Sequence, residues 1–307
     1  MLYITTGNPA DSFTSHRVLR EDRASDGGMF IPMQMPVITQ EQISAMQKSS
    51  FADVVAQVLN LFFDNIISGW DVGFSVGRSP LKIQTTNHRL IFAQLWHNHG
   101  GAYSHLERNI YHKLTGIACE NVPQWPKIAI RIAVLFGVLA ELANYDIHQY
   151  DIAVSTDDFL LPIAVVYAKK MGLPIETVIC GCSENSGLWD LIHRGEFSTG
   201  SLNADNLCAV ERLVFDVFGR EEAARYRNAV HRRGIYKLSE SDQYVLSADM
   251  FVSVLSNDRI ESIIRGVSVT ELDFKTASAY GALQDFRAKT GESKHTLILV
   301  DNAPNSK

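Results

Sequence analysis

From Asp151 onward, short apolar runs of strand length alternate with stretches of helical periodicity, and such a chain has few ways to bury itself. Asp151 to Ser155, Glu176 to Gly181 and Thr296 to Asp301 read as strands, as does the run from Arg89 to Trp96. Between them, Asp157 to Met171 reads as an apolar helix closed by Gly172 and Pro174, Leu188 to His193 as a short helix, and Thr276 to Lys289 as the last helix. The region Ala209 to Ile264 is dominated by helical periodicity. Strands apolar on both faces need helices on both sides, so the pattern predicts an α/β fold with a mostly parallel sheet flanked by helices. Ligands of such sheets sit at the carboxyl ends of the strands, where helix N-termini offer unpaired N–H groups to anions. Three loops are thereby singled out: Trp96 to Ser104, Ser155 to Pro162 and Gly181 to Gly187.

The first 80 residues are punctuated differently, by Gly7-Asn8-Pro9, Asp26-Gly27-Gly28, Pro32 and Pro36, and then carry helical stretches over Gln40 to Gln47 and Phe51 to Ile67. We expect a small N-terminal α+β domain over residues 1–80 and a large α/β domain over 81–307, in keeping with a length of 307 residues. A hydrophobic share of 46% excludes a disordered chain. The net charge of −6 is spread without a basic cluster, which argues against nucleic acid as a partner. Cys119, Cys180, Cys182 and Cys208 form no disulfide framework or paired zinc motif, and the Met1 to Gly7 stretch has no signal-peptide pattern, so a reducing cytoplasm is expected. The long apolar stretch Ile128 to Ala143 is broken by Arg131 and Glu141; its Ile128, Ile132, Leu135 and Leu139 recur at helical spacing, as in a buried core helix rather than a membrane span.

Several phrases, in order along the chain, resemble the threonine synthases, pyridoxal-phosphate enzymes of fold type II. Tyr3-Ile4-Thr5-Thr6 and Ser25-Asp26-Gly27-Gly28-Met29-Phe30-Ile31-Pro32 look like that family's N-terminal domain, with its Asp-Gly-Gly-aromatic-x-Pro turn. Tyr167 to Ile175, Ser183-Glu184-Asn185 and Arg194-Gly195-Glu196-Phe197-Ser198 resemble the strand, helix and loop that follow its phosphate-binding turn. Glu211-Arg212-Leu213 and Asp273-Phe274-Lys275-Thr276-Ala277 are similar to later segments, the second to an Asp-Pro-His-Thr-Ala helix start. The fold so implied is a tryptophan-synthase-β-like large domain.

The resemblance breaks where the family's chemistry sits. The stretch matching its cofactor-lysine segment is Trp96-His97-Asn98-His99-Gly100-Gly101-Ala102-Tyr103-Ser104-His105, with Ser104 in the lysine position. A hydroxyl forms no aldimine. Lys82 and Lys113 are the nearest lysines in sequence, but Lys113 lies about 13 Å along a helix from Ser104, too far to substitute. The family's glycine-bearing phosphate loop corresponds to Ser155-Thr156-Asp157-Asp158-Phe159-Leu160-Leu161. Two carboxylates there would repel a phosphate dianion by about a few kcal/mol at an effective dielectric of about 20. A small subdomain that the family carries before its Asn-Ser-Ile-Asn-Trp segment has no counterpart: Thr115 to Glu120 leads directly to Asn121-Val122-Pro123-Gln124-Trp125. The small domain of the implied fold is therefore expected to be deleted.

We accordingly expect a pseudoenzyme, a threonine-synthase-like binding or regulatory protein with no pyridoxal phosphate, self-associating or bound to a partner protein and open to a small amino-acid-like ligand. His97, His99, Ser104, His105, Asn121, Thr156, Asp157, Asp158, Glu184 and Asn185 are the candidate ligand-binding residues. One alternative is a divergent amino-acid lyase that holds pyridoxal phosphate. Another is a cofactor-free or metal-dependent activity built on His97, His99, His105 and Asp158, since four of the ten histidines fall within His97 to His112. A catalytic Ser104 lacks a G-x-S-x-G elbow, and Cys180-Gly181-Cys182 reads as strand packing.

Overall fold

The computed structural model describes residues 1–8, 10–64, 67–76, 81–86, 88–95, 103–183, 187–200, 204–248, 250–267 and 270–300. The N-terminal segment contributes β1 (Leu2–Thr5), β2 (Phe13–Thr14), α1 (Ser15–Val18) and β3 (Phe30–Pro32), and the three strands form an antiparallel sheet in the order β2-β1-β3. α2 (Gln40–Met46) opens on a capping box in which Thr39 and Gln42 satisfy each other's backbone N–H groups. α3 (Phe51–Phe62), capped by Ser50, and α4 (Gly69–Val76) follow. The apolar face of α3 (Val55, Val58, Leu59 and Phe62 among others) packs into the same core as the long helix of the second half, and Tyr3 donates its hydroxyl to the Phe62 carbonyl at 2.6 Å.

The large sheet is built from β4 (Lys82–Thr85), β5 (Leu90–Gln94), β6 (Tyr150–Ser155), β7 (Ile175–Ser183), β10 (Met250–Leu255) and β11 (Thr296–Val300) in the order β10-β7-β6-β11-β5-β4. All neighbours run parallel except the β4–β5 pair. Helices connect them: α5 (Tyr103–Thr115) and α6 (Gln124–Leu142) between β5 and β6, α7 (Leu160–Lys170) between β6 and β7, and α12 (Asn257–Gly266) and α13 (Phe274–Thr290) between β10 and β11. The β7–β10 crossover holds α8 (Gly187–Arg194), β8 (Glu196–Ser198), α9 (Ala204–Phe218), α10 (Arg220–Arg233), β9 (Ile235–Lys237) and α11 (Glu240–Ser247), with β8 and β9 paired antiparallel.

Alternation along the strands divides the interior in two. Leu90, Phe92, Ile298 and Val300 face α12 and α13, while Ile91, Ala93, Leu297 and Leu299 join the larger cluster with α3, α6 and α7. This is the two-sided cover that apolar parallel strands require. The expected α/β architecture, mostly parallel with a small N-terminal sheet, is the one observed.

Two local readings change. The helical region expected over Ala209 to Ile264 contains two strands, β9 and β10; β10 is the edge strand beside β7, and its Met-Phe-Val-Ser-Val-Leu run is β-prone and ends at Ser256, the N-cap of α12. The core helix also begins earlier than Ile128, at Gln124. With the turn after it, α6 is long and apolar enough to cross a membrane, but it is buried on nearly every side within the fold. Residues 116–123 join α5 to α6 without a strand.

Candidate functional site

The turn after β6 is held from below. The Thr156 N–H donates to the Gly181 carbonyl at 2.9 Å, and its hydroxyl reaches the Cys182 sulfur at 2.9 Å. The chain then enters α7, and the amides at that helix start all have partners. The Phe159 N–H donates to the Asn206 side chain at 3.0 Å, Leu160 N–H to the Asp158 carboxylate at 2.9 Å and Leu161 N–H to the Asp158 carbonyl at 3.2 Å. Pro162 has no N–H, and Ile163 donates to the Phe159 carbonyl at 3.3 Å. The positive end of α7 thus already carries an anion, the Asp158 side chain.

Arg131, within the apolar run of α6, ties this carboxylate to α5. Its Nε donates to Glu107 at 2.6 Å and its Nη2 lies 2.7 Å from the second Asp158 oxygen. Glu107 is 3% and Arg131 8% exposed, so the triad is largely removed from water, with Asp158 its open end. Burial opposes the charge on Arg131, but Asp158 and Glu107 outweigh it and hold the guanidinium well above its ordinary pKa. Burial likewise pushes the Asp158 carboxyl up; Arg131 and the Leu160 N–H outweigh it and hold it below the usual aspartate value.

A cavity of about 230 Å³ opens beside the triad at the carboxyl end of β6. Tyr103, Ser104 and Glu107 reach it from α5 and Arg131 from α6, with Ser155 at the strand end and Asp158 and Leu161 at the start of α7. Lys275 closes the lining from the first turn of α13. Among the described residues, the Lys275 ammonium makes no ion pair or hydrogen bond. A glycine brings it there: the Cα of Gly181 lies so close to α13 that a Cβ would stand 2.2 Å from the Ser278 carbonyl oxygen, three residues beyond Lys275.

A lysine in the first helical turn opposes the helix dipole by about 0.3–1 kcal/mol. Lys275→Met is therefore expected to leave stability to urea unchanged or slightly raised, and a loss above about 1 kcal/mol would mean that the ammonium has a structural partner.

Of the residues expected to bind a ligand, Ser104 and Asp158 line the cavity. His105 is half-buried on α5 but outside the lining, Asn121 is exposed in the turn before α6, and Thr156 is buried beneath the turn. Asp157 faces Ser183, whose hydroxyl is 3.4 Å from it. His97, His99, Glu184 and Asn185 lie outside the described residues. Among the described residues no three of His, Cys, Asp and Glu gather as metal ligands would. Lys113 is turned away, its ammonium 4.8 Å from the Phe74 ring centre. Sequence reasoning missed Glu107, Arg131, Ser155 and Lys275; the signal available was a single arginine inside an apolar helix, which demands a buried counter-charge.

Residues 2–73 match the family described as threonine synthase N terminus. Threonine synthase of Methylobacillus glycogenes is 28% identical over 165 residues, 48% of this chain and 34% of that protein. Threonine synthase-like 1 of Mus musculus is 31% identical over 87 residues, 27% of this chain and 12% of that protein. The matched segments therefore span a minor part of either relative. The crystal structure of yeast threonine synthase superposes with a TM-score of 0.84 at 17% identity, covering 99% of this chain and 87% of that one. That of the pyridoxal-phosphate-bound Brucella melitensis enzyme gives 0.82 at 17%, covering 99% and 89%. Residues 2–73 thus carry the threonine synthase N-terminal pattern, and the chain has the fold of the threonine synthases.

Proposed function

We propose that this protein is a non-catalytic, threonine-synthase-like protein, a binding or regulatory protein that takes up no pyridoxal phosphate. The observation that carries this reading is the occupied start of α7: the N–H groups of Phe159, Leu160 and Leu161 each have an acceptor within the chain, and the Asp158 carboxylate accepts the Leu160 N–H and is held by Arg131. A phosphate there would have to displace a carboxylate from both a helix N-terminus and a buried guanidinium. Ser104, which the resemblance sets in the cofactor-lysine position, supports the same reading, because a hydroxyl forms no Schiff base. On these grounds the site does not suit that cofactor.

Titration of the full chain with pyridoxal phosphate, followed by borohydride reduction and peptide mass mapping, tests the proposal. No stoichiometric Schiff-base absorbance and no adduct on a single lysine are expected. A one-to-one adduct would overturn the reading. A second reading, an amino-acid lyase of the threonine synthase type, has Lys275 in its favour, a lysine lining the same cavity as Ser104; the adduct would then map to Lys275 and be lost in Lys275→Met.

A further inference from the structure

We propose that the outer face of α4 is an interface between two copies of this chain, built on Trp70 and Phe74, with Lys113 of one copy set against Asp71 of the other. None of these residues lines the cavity described above, and the proposal stands apart from the cofactor question. The two faces of α4 are sharply sorted. Val72 and Val76 are 0% and 1% exposed and join the core cluster that holds α3, whereas Trp70 is 82% and Phe74 72% exposed. Each pair stands four residues apart, so each forms one row along the helix. Gly69 fixes the orientation from behind: a Cβ there would stand 1.9 Å from the carboxylate of Asp53, in the first turn of α3. Turning α4 to bury the aromatic row would expose the valines, so the packing of the fold itself leaves Trp70 and Phe74 outside.

Two aromatic side chains in one exposed row mark a surface for contact, and the charges beside them select the occupant. Lys113 of α5 lies over the Phe74 ring, its ammonium 4.8 Å from the ring centre, and among the described residues it makes no ion pair or hydrogen bond. Asp71 accepts from the Ser68 N–H at 3.0 Å; the Ser68 hydrogen bonds first, and the nearby Lys113 charge after them, hold its carboxyl below the usual aspartate value. The aromatic row is therefore flanked by one cation and one anion. A two-fold axis through such a patch sets each lysine against the other copy's aspartate and ring against ring, so the surface complements itself. A wholly basic or wholly acidic partner, an anionic membrane included, is opposed by one of the two charges. The area agrees. Buried aromatics remove about 150–250 Å² each from water, so two from each copy supply roughly half of a standard interface, and Trp is among the residues that dominate such contacts.

Sedimentation velocity of the full chain between about 1 and 100 μM tests this, and a monomer–dimer equilibrium within that range is expected. Trp70→Ala combined with Phe74→Ala should weaken dimerisation by about tenfold or more. The urea midpoint of the monomer should stay where it is, since neither ring is buried within one copy. Lys113→Glu and Asp71→Lys should each dissociate the dimer by placing like charges together. An equimolar mixture of these two variants should form a dimer again, because in the mixed pair both contacts join opposite charges. Asp71→Lys also removes the Ser68 hydrogen bonds, and if it fails to fold the aromatic double variant decides the matter alone. The proposal falls if the native chain is monomeric at the highest concentration, if the aromatic double variant self-associates like the native chain, or if a mixture of the two folded charge variants stays monomeric.

Discussion

Arg131→Met is expected to lower the free energy of unfolding by about 3–5 kcal/mol in urea, the cost of removing the cation that joins two carboxylates of a buried ion network. The methionine keeps most of the arginine's stem volume, so little of the loss comes from a cavity. What remains is Glu107, 3% exposed, facing Asp158 with no positive charge between them. Glu107→Leu combined with Arg131→Met is expected to recover much of the loss, because it removes the buried charge as well as its partner, and the half-exposed Asp158 can rehydrate. The pH dependence carries a sign. In the native chain the folded Asp158 carboxyl titrates below the ordinary value of 3.8, so its contribution is complete above that value and is lost as the pH falls through the lower, folded one. In Arg131→Met the penalty instead shrinks on acidification, since protonation removes the charge left buried. A loss under about 1 kcal/mol would show that the three side chains are hydrated in solution.

Gly181→Ala is the second large effect. Its Cβ would stand 2.2 Å from the Ser278 oxygen, 2.4 Å from the Ser278 carbonyl carbon and 2.6 Å from the Ala279 nitrogen, all backbone atoms of α13. A helix interior cannot yield by rotating a side chain, so α13 must shift off the sheet, at a cost of about 3 kcal/mol, the upper end for overpacked cores. Gly281→Ala is the control. Its closest neighbour is the tip of Leu255, which can turn aside, and a smaller loss is expected. Equal stability of Gly181→Ala and the native chain would mean that α13 does not lie so close to β7.

Much of the architecture was legible because it is written in local periodicity. Leu90 to Gln94 and Thr296 to Val300 are apolar on both faces, and each half of their side chains found its own layer of helices. The stop of α7 was marked by Gly172 and Pro174, and the start of α13 by the Asp273-Phe274-Lys275-Thr276-Ala277 phrase. β10 escaped because a six-residue run, apolar but for Ser253, fits either period between helices, and only its seat beside β7 settled the matter. Lys275 escaped for a different reason. A replacement amine was sought within the reach of one helix from Ser104, yet the lysine that lines the cavity lies on the last helix of the chain.

The sequence alone therefore determined the α/β class, the family resemblance and three strand-end loops as places to look, the turn after β6 among them. It also supplied Ser104 and Asp158. Only the tertiary structure decided that Asp158 accepts the Leu160 N–H at the start of α7, that Arg131 joins it to Glu107, and that Lys275 lines the same cavity. The physical reason is the range of the interactions. Periodicity and caps report forces within a turn or a strand, whereas the meeting of Glu107, Arg131, Asp158 and Lys275 depends on how four elements cross the end of one sheet, a packing outcome governed by contacts as remote as Gly181 against Ser278.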